Sequence, residues 1–452
     1  MAITVNPSIS GGGSATGGGA VSSVAGRTGD VVLSSTDVGL TNVNNTSDAN
    51  KPVSTAQAAA ISTKALAMYT NPVPGTGISA QTLANTVATR KLRAGTKPGR
   101  IILLGDSFLA GFTSGDAGMG NVRANAIAAK LALMLTGRGI RANNDWASGY
   151  PDVTSGAGTA ANIAAYDPRL SITTTASPSV IEIPAVGGYP IALTATNDLI
   201  HFTPGVPFDT IEIIHARNTS GSGNFTVSLD GGTTTLQTVT DNTAIDVFKT
   251  VIAVPANTVA KRVTIKRGTG SNYIMLVGVR HTGSPTVDVI NIGSTGAQLQ
   301  FQAIAGTTTG DANSWNIRRG LPVVADGTTN NLVLIEGWYN DRVTGGRSTA
   351  QVQADMTTLI TAGKAVGDVM VIDYAAADPA IMTPAVAAPY RAAVAAAASA
   401  ASVPIIKMSD IITDYTVGNA QGLYGDQLHL NGVGNAYAAG AIVEAITNSI
   451  LV

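Results

Sequence analysis

Residues 100–111 read RIILLGDSFLAG, and this stretch predicts the architecture of most of the chain. The four apolar residues 101–104 (IILL) form a continuous run, which is typical of a strand buried on both faces of a parallel sheet. The run ends abruptly at Gly105-Asp106-Ser107. Such an ending is either a plain turn or the place where an enzyme displays a nucleophile. Residues elsewhere in the chain are needed to decide between a turn and a nucleophile site.

The strand-and-helix rhythm continues in the C-terminal part of the chain. Four more apolar runs predict buried strands, at residues 287–292 (VDVINI), 332–335 (LVLI), 369–372 (VMVI) and 403–406 (VPII). Helices are predicted at residues 124–135, 348–364, 390–401 and 434–450. Alternation of strands and helices with short connections predicts a parallel sheet flanked by helices. We therefore expect residues 99–150 and 285–452 to form one α/β domain of three layers, similar to flavodoxin.

The intervening residues 151–284 have a different pattern. Phe225, Val227 and Leu229 alternate with polar residues and are followed by the turn Asp230-Gly231-Gly232. Other short runs in this stretch also alternate apolar and polar residues, and the sequence does not indicate a helix there. The pattern predicts an antiparallel β-sandwich, similar to a jelly roll, inserted into the α/β domain. Whether this insert binds a glycan stays open.

The composition excludes several classes of protein. The 452 residues include 27 basic and 28 acidic residues, so no net field attracts nucleic acid or an anionic membrane. Only 12% of the residues are charged, against roughly 25% in an average soluble protein. The absence of cysteine excludes disulfides and thiolate chemistry. Neither a secretory signal nor a membrane span is expected.

The first 70 residues differ from all that follows. They contain the glycine-rich stretch GGGSATGGG and too few apolar residues for a core of their own. Ala58, Ile61, Ala65 and Met68 follow a 3-4-3 spacing, which predicts a short coiled-coil seam. So short a seam favours several chains that support one another, and a flexible tail is the alternative. Residues 71–98, with their Pro/Gly breaks, are predicted to be a linker.

Residues 21–56 (VSSVAGRTGDVVLSSTDVGLTNVNNTSDANKPVSTA) resemble modules near the N-termini of tail fibres and tailspikes of tailed bacteriophages. Gly26, Arg27 and the stretch NTSDANKP at residues 45–52 carry the resemblance. It implies a homotrimer in the virion, attached to phage tail or baseplate proteins through its N-terminal side.

Residues suited to acyl transfer follow the predicted strands. A parallel sheet places its site beyond the carboxyl ends of its strands, and Ser107, Gly293 and Asn340 each follow one. A serine hydroxyl needs a base, for which imidazole is suited near pH 7, and His429 follows the last strand. Asp426, three residues earlier, can hold the ring. The backbone N–H groups of Gly293 and Ser107 and the amide of Asn340 are candidate donors to an oxyanion.

Two of these stretches resemble the blocks of GDSL-type SGNH hydrolases. Gly105-Asp106-Ser107 is similar to the first block and DQLHLNGVG, residues 426–434, to the last. The resemblance implies Ser107 as nucleophile, His429 as base and Asp426 as its partner. It also implies an oxyanion hole formed by Ser107, Gly293 and Asn340, and neither a metal nor an organic cofactor. The third block of the family, Gly-x-Asn-Asp, is one residue longer here, GWYND at residues 337–341.

Together these features predict a phage tail fibre or tailspike that acts outside the host cell as a serine esterase. Its expected substrate is an O-acetylated bacterial surface polysaccharide, either capsule or O-antigen. Trp338 and Tyr339 are candidates for stacking on a sugar ring, and packing of their loop is the alternative. Two rival functions stay open. One is an adhesin that binds glycan without turnover, and the other is a depolymerase, which needs two opposed carboxylates.

Overall fold

The computed structural model describes twelve stretches, namely residues 99–114, 121–148, 160–173, 177–178, 190–216, 223–230, 234–240, 246–255, 261–282, 286–304, 317–325 and 330–448. The attachment and trimerising region predicted at 1–70 and the linker at 71–98 lie outside these residues.

The strands in chain order are β1 (Arg100–Leu104), β2 (Ala142–Asn143), β3 (Trp146–Ser148), β4 (Leu170–Thr173), β5 (Ser177–Pro178), β6 (Ile191–Leu193), β7 (Leu199–Phe202), β8 (Thr210–Ala216), β9 (Asn224–Leu229), β10 (Thr234–Thr240), β11 (Val247–Ala253), β12 (Val263–Thr269), β13 (Asn272–Arg280), β14 (Val287–Asn291), β15 (Asn331–Glu336), β16 (Gly367–Asp373) and β17 (Ile405–Lys407).

The helices are α1 (Ser107–Ala110), α2 (Val122–Asn125), α3 (Ile127–Gly137), α4 (Ala160–Tyr166), α5 (Leu299–Ala303), α6 (Ile317–Val324), α7 (Tyr339–Val343), α8 (Thr349–Lys364), α9 (Pro384–Ala400), α10 (Met408–Ile411), α11 (Tyr415–Ala420) and α12 (Gly432–Asn448). None of these helices combines the length and the apolar character that a bilayer span requires.

Six strands form a parallel sheet in the order β17-β16-β15-β1-β14-β2. Strand β1 lies in the middle, where Ile101 pairs with Val289 on one side and Leu332 on the other. All five residues of β1 are buried, because helices and the insert cover both faces of the sheet. The continuous apolar run is therefore a central strand, as the sequence predicts.

The order of the sheet reverses at β1. Strands β14 and β2 lie on one side of β1, and β15, β16 and β17 follow one another on the other side. Among the helices, α3 packs against α12, and α8 packs against α9. A reversal of this kind opens a crevice beyond the carboxyl end of the central strand. The nucleophile candidate Ser107 lies at that point.

The insert consists of two antiparallel sheets, in the orders β10-β9-β12-β7-β4 and β11-β8-β13-β6-β5. Apolar side chains of both sheets share one core, to which Ile213 of β8 and Phe225 and Val227 of β9 belong. In contrast, Ile214 and Ala216 of β8 belong to the core of the α/β domain. One face of the second sheet therefore closes the sandwich, and the other face packs against the parallel sheet.

A buried group of charges joins the insert to the parallel sheet. Two oxygens of Glu212, on β8, accept hydrogen bonds from Nη2 of Arg100, on β1, at 2.8 and 2.7 Å. Arg280 Nη1 donates to Glu212 Oε1 at 3.0 Å, and Lys249 Nζ lies 3.6 Å from Oε2. Burial works to raise the pKa of Glu212, but these cations outweigh it and lower the pKa.

Most of the predicted strands and helices are present. Four features of the structure differ from the predictions. Helix α4 lies inside the stretch for which no helix is indicated, so that prediction is wrong; its short, alanine-rich sequence has too little periodicity to reveal a helix. Strand β3 pairs with β13 of the insert, which places antiparallel structure before residue 151.

The other two differences concern helix ends. The helix predicted at 124–135 is split into α2 and α3 at Ala126, whose ψ of 157° is extended. Helix α9 begins six residues before the predicted start, with Pro384 in its first turn and Thr383 as its N-cap. Proline is compatible with the first turn of a helix, because the missing N–H has no intrahelical partner there.

Candidate active site

The nucleophile candidate lies at a tight connection between β1 and α1. Asp106 caps α1, and its Oδ1 accepts the backbone N–H of Phe108 at 3.0 Å. A Cβ at position 105 would lie 2.4 Å from Glu336 Oε2, so any other residue where β1 ends would displace this buried carboxyl group. Ser107 therefore begins the helix directly at the edge of the sheet, with its side chain largely covered.

His429 lies in a loop that follows the last strand. The loop is closed by a bridge between Tyr424 and Leu430 and by the N–H of Gly425, which donates to the carbonyl of His429 at 2.9 Å. Nε2 of His429 lies 2.8 Å from Ser107 Oγ. The ring also packs edge-on against Phe112, with centroids 4.9 Å apart. The tertiary structure thus brings the predicted nucleophile and base within hydrogen-bonding distance.

Asp426 completes the group from the opposite side of the ring. Its Oδ2 lies 2.7 Å from Nδ1 of His429, and its Oδ1 accepts the backbone N–H groups of Leu428 and His429 at 2.7 and 2.6 Å. Burial works to raise the pKa of Asp426, but the hydrogen bonds from His429 and Leu428 outweigh it and lower the pKa. The carboxylate is ionised near neutral pH, orients the ring and stabilises it when it is protonated.

Asn340 lies beside Asp106 and not at a free edge. Its Nδ2 donates to Asp106 Oδ2 at 2.9 Å and to the carbonyl of Ala297 at 3.1 Å. The hydroxyl of Tyr374 donates to the same Asp106 oxygen. Both amide hydrogens of Asn340 are therefore engaged, and one of them has to be released before Asn340 can serve an oxyanion.

Gly293 is predicted to donate to the oxyanion, but its N–H already donates to Asn291 Oδ1 at 2.9 Å. A Cβ at Gly293 would lie 3.0 Å from the backbone N of Ala110, so this glycine permits close packing against α1. The next glycine, Gly296, has a φ of 76°. Within the described part, neither Gly296 nor Ser107 donates its backbone N–H to an acceptor.

The loop that contains Gly296 is tied to the site at both ends. Ser294 N–H donates to the carbonyl of Gly105 at 3.1 Å, and the carbonyl of Ala297 accepts from Asn340. Gly296 therefore lies between the nucleophile connection and Asn340. The sequence analysis missed it, although a second glycine three residues after the first was a visible signal.

Trp338 and Tyr339 occupy different environments. Trp338 is 1% exposed, donates Nε1–H to Asp373 Oδ1 at 3.1 Å and stacks on Tyr390 with ring centroids 5.8 Å apart. Its φ of 147° is rare for a residue with a Cβ and accommodates the extra residue of the GWYND block. For Trp338 this geometry fits the packing alternative. Tyr339 borders an open cavity, and its contact with a sugar stays a prediction.

Two cavities share Leu428, the residue before His429, in their walls. The first has a volume of about 450 Å³, and Tyr415, Asn419, Asp426 and His429 are among its lining residues. The second has a volume of about 270 Å³ and lies against Tyr339 and Tyr374. No cluster of His, Asp and Glu suited to a metal ion occurs among the residues the structure describes.

One buried group escaped the sequence analysis entirely. Glu336, the last residue of β15, is inaccessible, and its Oε2 accepts the backbone N–H of Asp106 at 3.1 Å. Its only signal in the sequence is a lone acid at the end of the apolar run LVLI. An acid there reads as a surface residue after a strand, whereas the fold covers it completely.

The fold is similar to that of solved esterases. A peptidoglycan O-acetylesterase matches with a TM-score of 0.56 at 15% identity, over 81% of this chain and 96% of that chain. A family two carbohydrate esterase from Clostridium thermocellum, in complex with cellohexaose, has a TM-score of 0.27 at 9% identity, over 57% of this chain and 94% of its own. An acetyl xylan esterase has a TM-score of 0.29 at 15% identity, over 36% of this chain and 82% of that chain.

The TM-score of the first structure shows a shared fold, whereas the TM-scores of the other two are too low to indicate one. The shared fold is mixed α/β, with a parallel sheet and additional antiparallel sheets. No protein-family model matches the sequence, and no curated protein matches it.

Proposed function

We propose that the chain is a serine esterase of SGNH type that removes O-acetyl groups from a bacterial surface polysaccharide. The observation that carries the proposal is the continuous hydrogen-bonded series from Ser107 Oγ through His429 to Asp426, with links of 2.8 and 2.7 Å. A nucleophile, a base and an orienting acid in this order are the groups that acyl transfer requires.

The reaction follows from these contacts. Oγ of Ser107 attacks the ester carbonyl carbon while its proton passes to Nε2 of His429. The protonated ring, held by Asp426, then gives the proton to the sugar oxygen as the C–O bond breaks, which leaves acetyl-Ser107 and a free sugar hydroxyl. Water attacks the acetyl group next, His429 accepts its proton, and acetate departs as Ser107 Oγ recovers a proton.

The negative charge on the carbonyl oxygen needs donors. The backbone N–H groups of Ser107 and Gly296 are the candidates that this geometry supports best, because neither donates within the described residues. Asn340 adds a third donor once one of its amide hydrogens leaves Asp106 or the Ala297 carbonyl. Each such donor is worth roughly a factor of 10² to 10³ in turnover. Gly293 supports the loop by packing.

A cavity beside His429 supports the proposal of a polysaccharide substrate. The cavity of about 450 Å³ runs along the side of the ring that carries Asp426, and Tyr415 and Asn419 give it aromatic and amide surface. Such groups suit a sugar, which presents both C–H faces and hydroxyls. The acetylated position of a sugar chain bound there has to extend past the ring to reach Ser107 and Nε2 of His429.

The setting in a phage tail fibre or tailspike rests on the sequence of residues 21–56. In this proposal the N-terminal region forms a homotrimer, joins the chain to tail or baseplate proteins, and brings the esterase to the host surface. Static light scattering of the full chain tests the trimer. A stable monomer at micromolar concentration would contradict it.

Acetate release from purified O-acetylated capsule and from an aryl acetate tests the esterase. We expect release by the wild-type chain and none above background with Ser107→Ala. Release that persists in the variant would exclude Ser107 as nucleophile. Shortening of the polymer without acetate release would indicate a depolymerase, and binding without hydrolysis of either substrate would indicate an adhesin.

A further inference from the structure

The second cavity, of about 270 Å³, is walled mainly by apolar surface. Its wall includes Met382, Ala387 and Ala388 and the two aromatic residues Tyr339 and Tyr374. We refer to it as the α9 cavity, because Ala387 and Ala388 lie in the first half of α9. Nothing in the proposed deacetylation needs a space of this size.

The wall of the α9 cavity includes residues that adjoin the reacting groups. Leu428, in its wall, directly precedes His429, and Tyr339 directly precedes Asn340. Tyr374 donates its hydroxyl to Asp106, next to the nucleophile. Three of the wall residues are thus adjacent in sequence, or hydrogen bonded, to residues of the site.

Two polar residues of the wall, Arg391 and Ser409, donate hydrogen bonds to other protein groups and have few donors left for a sugar. Nη1 of Arg391 donates to Asp373 Oδ2 at 3.0 Å and to the carbonyl of Tyr374 at 3.0 Å, and Ser409 Oγ donates to Asp373 Oδ2 at 3.2 Å. Trp338, also in the wall, stacks on Tyr390. A ligand in the α9 cavity therefore meets methyl groups and ring surface, which suit a hydrocarbon chain.

We propose that the α9 cavity binds the acyl group of the substrate and admits chains of about four to six carbons as well as acetyl. The inference rests on the proposed esterase function and adds the substrate class, O-acyl esters of carbohydrates with acyl chains longer than acetyl. An acetyl group has three heavy atoms and fills the space of roughly three waters, about 90 Å³. The cavity is several times larger.

The chemistry places the two halves of the ester on opposite sides of the carbonyl carbon. Nε2 of His429, which faces Ser107, must deliver a proton to the departing oxygen, so the sugar lies on that side. The acyl group is bonded to the opposite side of the carbonyl carbon and points away from that oxygen. The α9 cavity offers the apolar wall that an acyl chain requires there.

The test is the kcat/KM of the full chain for the p-nitrophenyl esters of acetate, butyrate and hexanoate. We expect wild-type values for butyrate and hexanoate within about tenfold of the acetate value, because each methylene gains apolar contact in the cavity. Ala388→Phe fills the exposed rim of the cavity and should lower kcat/KM for hexanoate at least tenfold more than it lowers the acetate value.

Ala396→Phe is the matched control. Ala396 is also exposed on α9, eight residues further along and about 12 Å from Ala388 on the helix axis. It should leave the whole chain-length series unchanged. Ala388→Leu supplies a smaller side chain at the same position and should give an intermediate loss. Thermal melts of the three variants show that each folds.

Three outcomes would overturn the proposal. Wild-type cleavage of acetate with no detectable cleavage of butyrate would show that the cavity does not admit the chain, and the esterase would stand. An equal loss for all three esters in Ala388→Phe would show that the position does not discriminate chain length. No cleavage of any ester by the wild type, with Ser107→Ala indistinguishable from it, would end both the esterase and its acyl cavity.

Discussion

Glu336 lies directly behind Asp106, with Glu336 Oε2 accepting the backbone N–H of Asp106 at 3.1 Å. Both side chains are inaccessible. Burial raises the pKa of Asp106 to about 7 and, with the nearby Asp106 charge, raises that of Glu336 well above its usual range. Two acids that resist ionisation thus lie beneath the nucleophile, where Asn340 and Tyr374 hold Asp106 from the other side.

This pair predicts a pH-dependent stability. In the unfolded chain Glu336 ionises near its usual pKa, about 4.3, whereas in the folded chain it stays protonated to higher pH. At pH values above the pKa of the unfolded chain, folding therefore takes up a proton at Glu336. The contribution of Glu336 to the free energy of unfolding falls as pH rises. Glu336→Gln cannot titrate, so between pH 5 and pH 8 its melting temperature should rise relative to wild type. A difference independent of pH would contradict the raised pKa.

Asp426 should affect turnover more than binding. Asp426→Asn removes the charge that stabilises the protonated ring and should lower kcat on an aryl acetate by roughly 10² to 10⁴, with KM little changed. Asp378→Asn is the control. Asp378 Oδ2 accepts a hydrogen bond from Nε2 of Gln427, which lies in the loop that carries His429, but Asp378 does not contact His429. Equal losses in the two variants would indicate that the loop has merely shifted.

Asn340 should also act on turnover. Asn340→Ala should reduce kcat by roughly 10² to 10³, because it removes the proposed donor to the oxyanion and the hydrogen bond to Asp106. Steady-state kinetics separates this from a binding role. A raised KM with an unchanged kcat would show that Asn340 contacts the substrate only in its ground state.

The charges between the insert and the parallel sheet should dominate stability at that junction. Glu212→Ala leaves Arg100 buried without its bidentate partner and should lower the free energy of unfolding by about 3–5 kcal/mol. Lys261→Ala breaks an ion pair with Asp230 whose side chains are 41% and 54% exposed, and should cost less than about 1 kcal/mol. Denaturant unfolding measures both, and similar losses would contradict the role of Glu212.

The sequence predicted the parts of this protein whose signal is local. The apolar runs before Gly105 and before Gly337 predict central strands, because strands buried on both faces must be apolar at every position. The helix predicted at 348–364 is α8, and in the structure a capping box of Ser348 and Gln351 satisfies backbone donors at its start. Spacing also predicts the contact between Asp426 and His429, because three residues of a tight loop are enough to bring them together.

Only the tertiary structure decided which groups are engaged. Gly293 and Gly296 look equivalent in the sequence, yet the Asn291 side chain takes the N–H of the first. Glu336 looks like a surface acid, yet the connection at Gly105 covers it. The 2.8 Å contact of Ser107 with His429 spans 322 positions and depends on the order of strands in the sheet. Local pattern determines an element and the face it buries, whereas hydrogen-bond partners depend on which loops the topology places side by side.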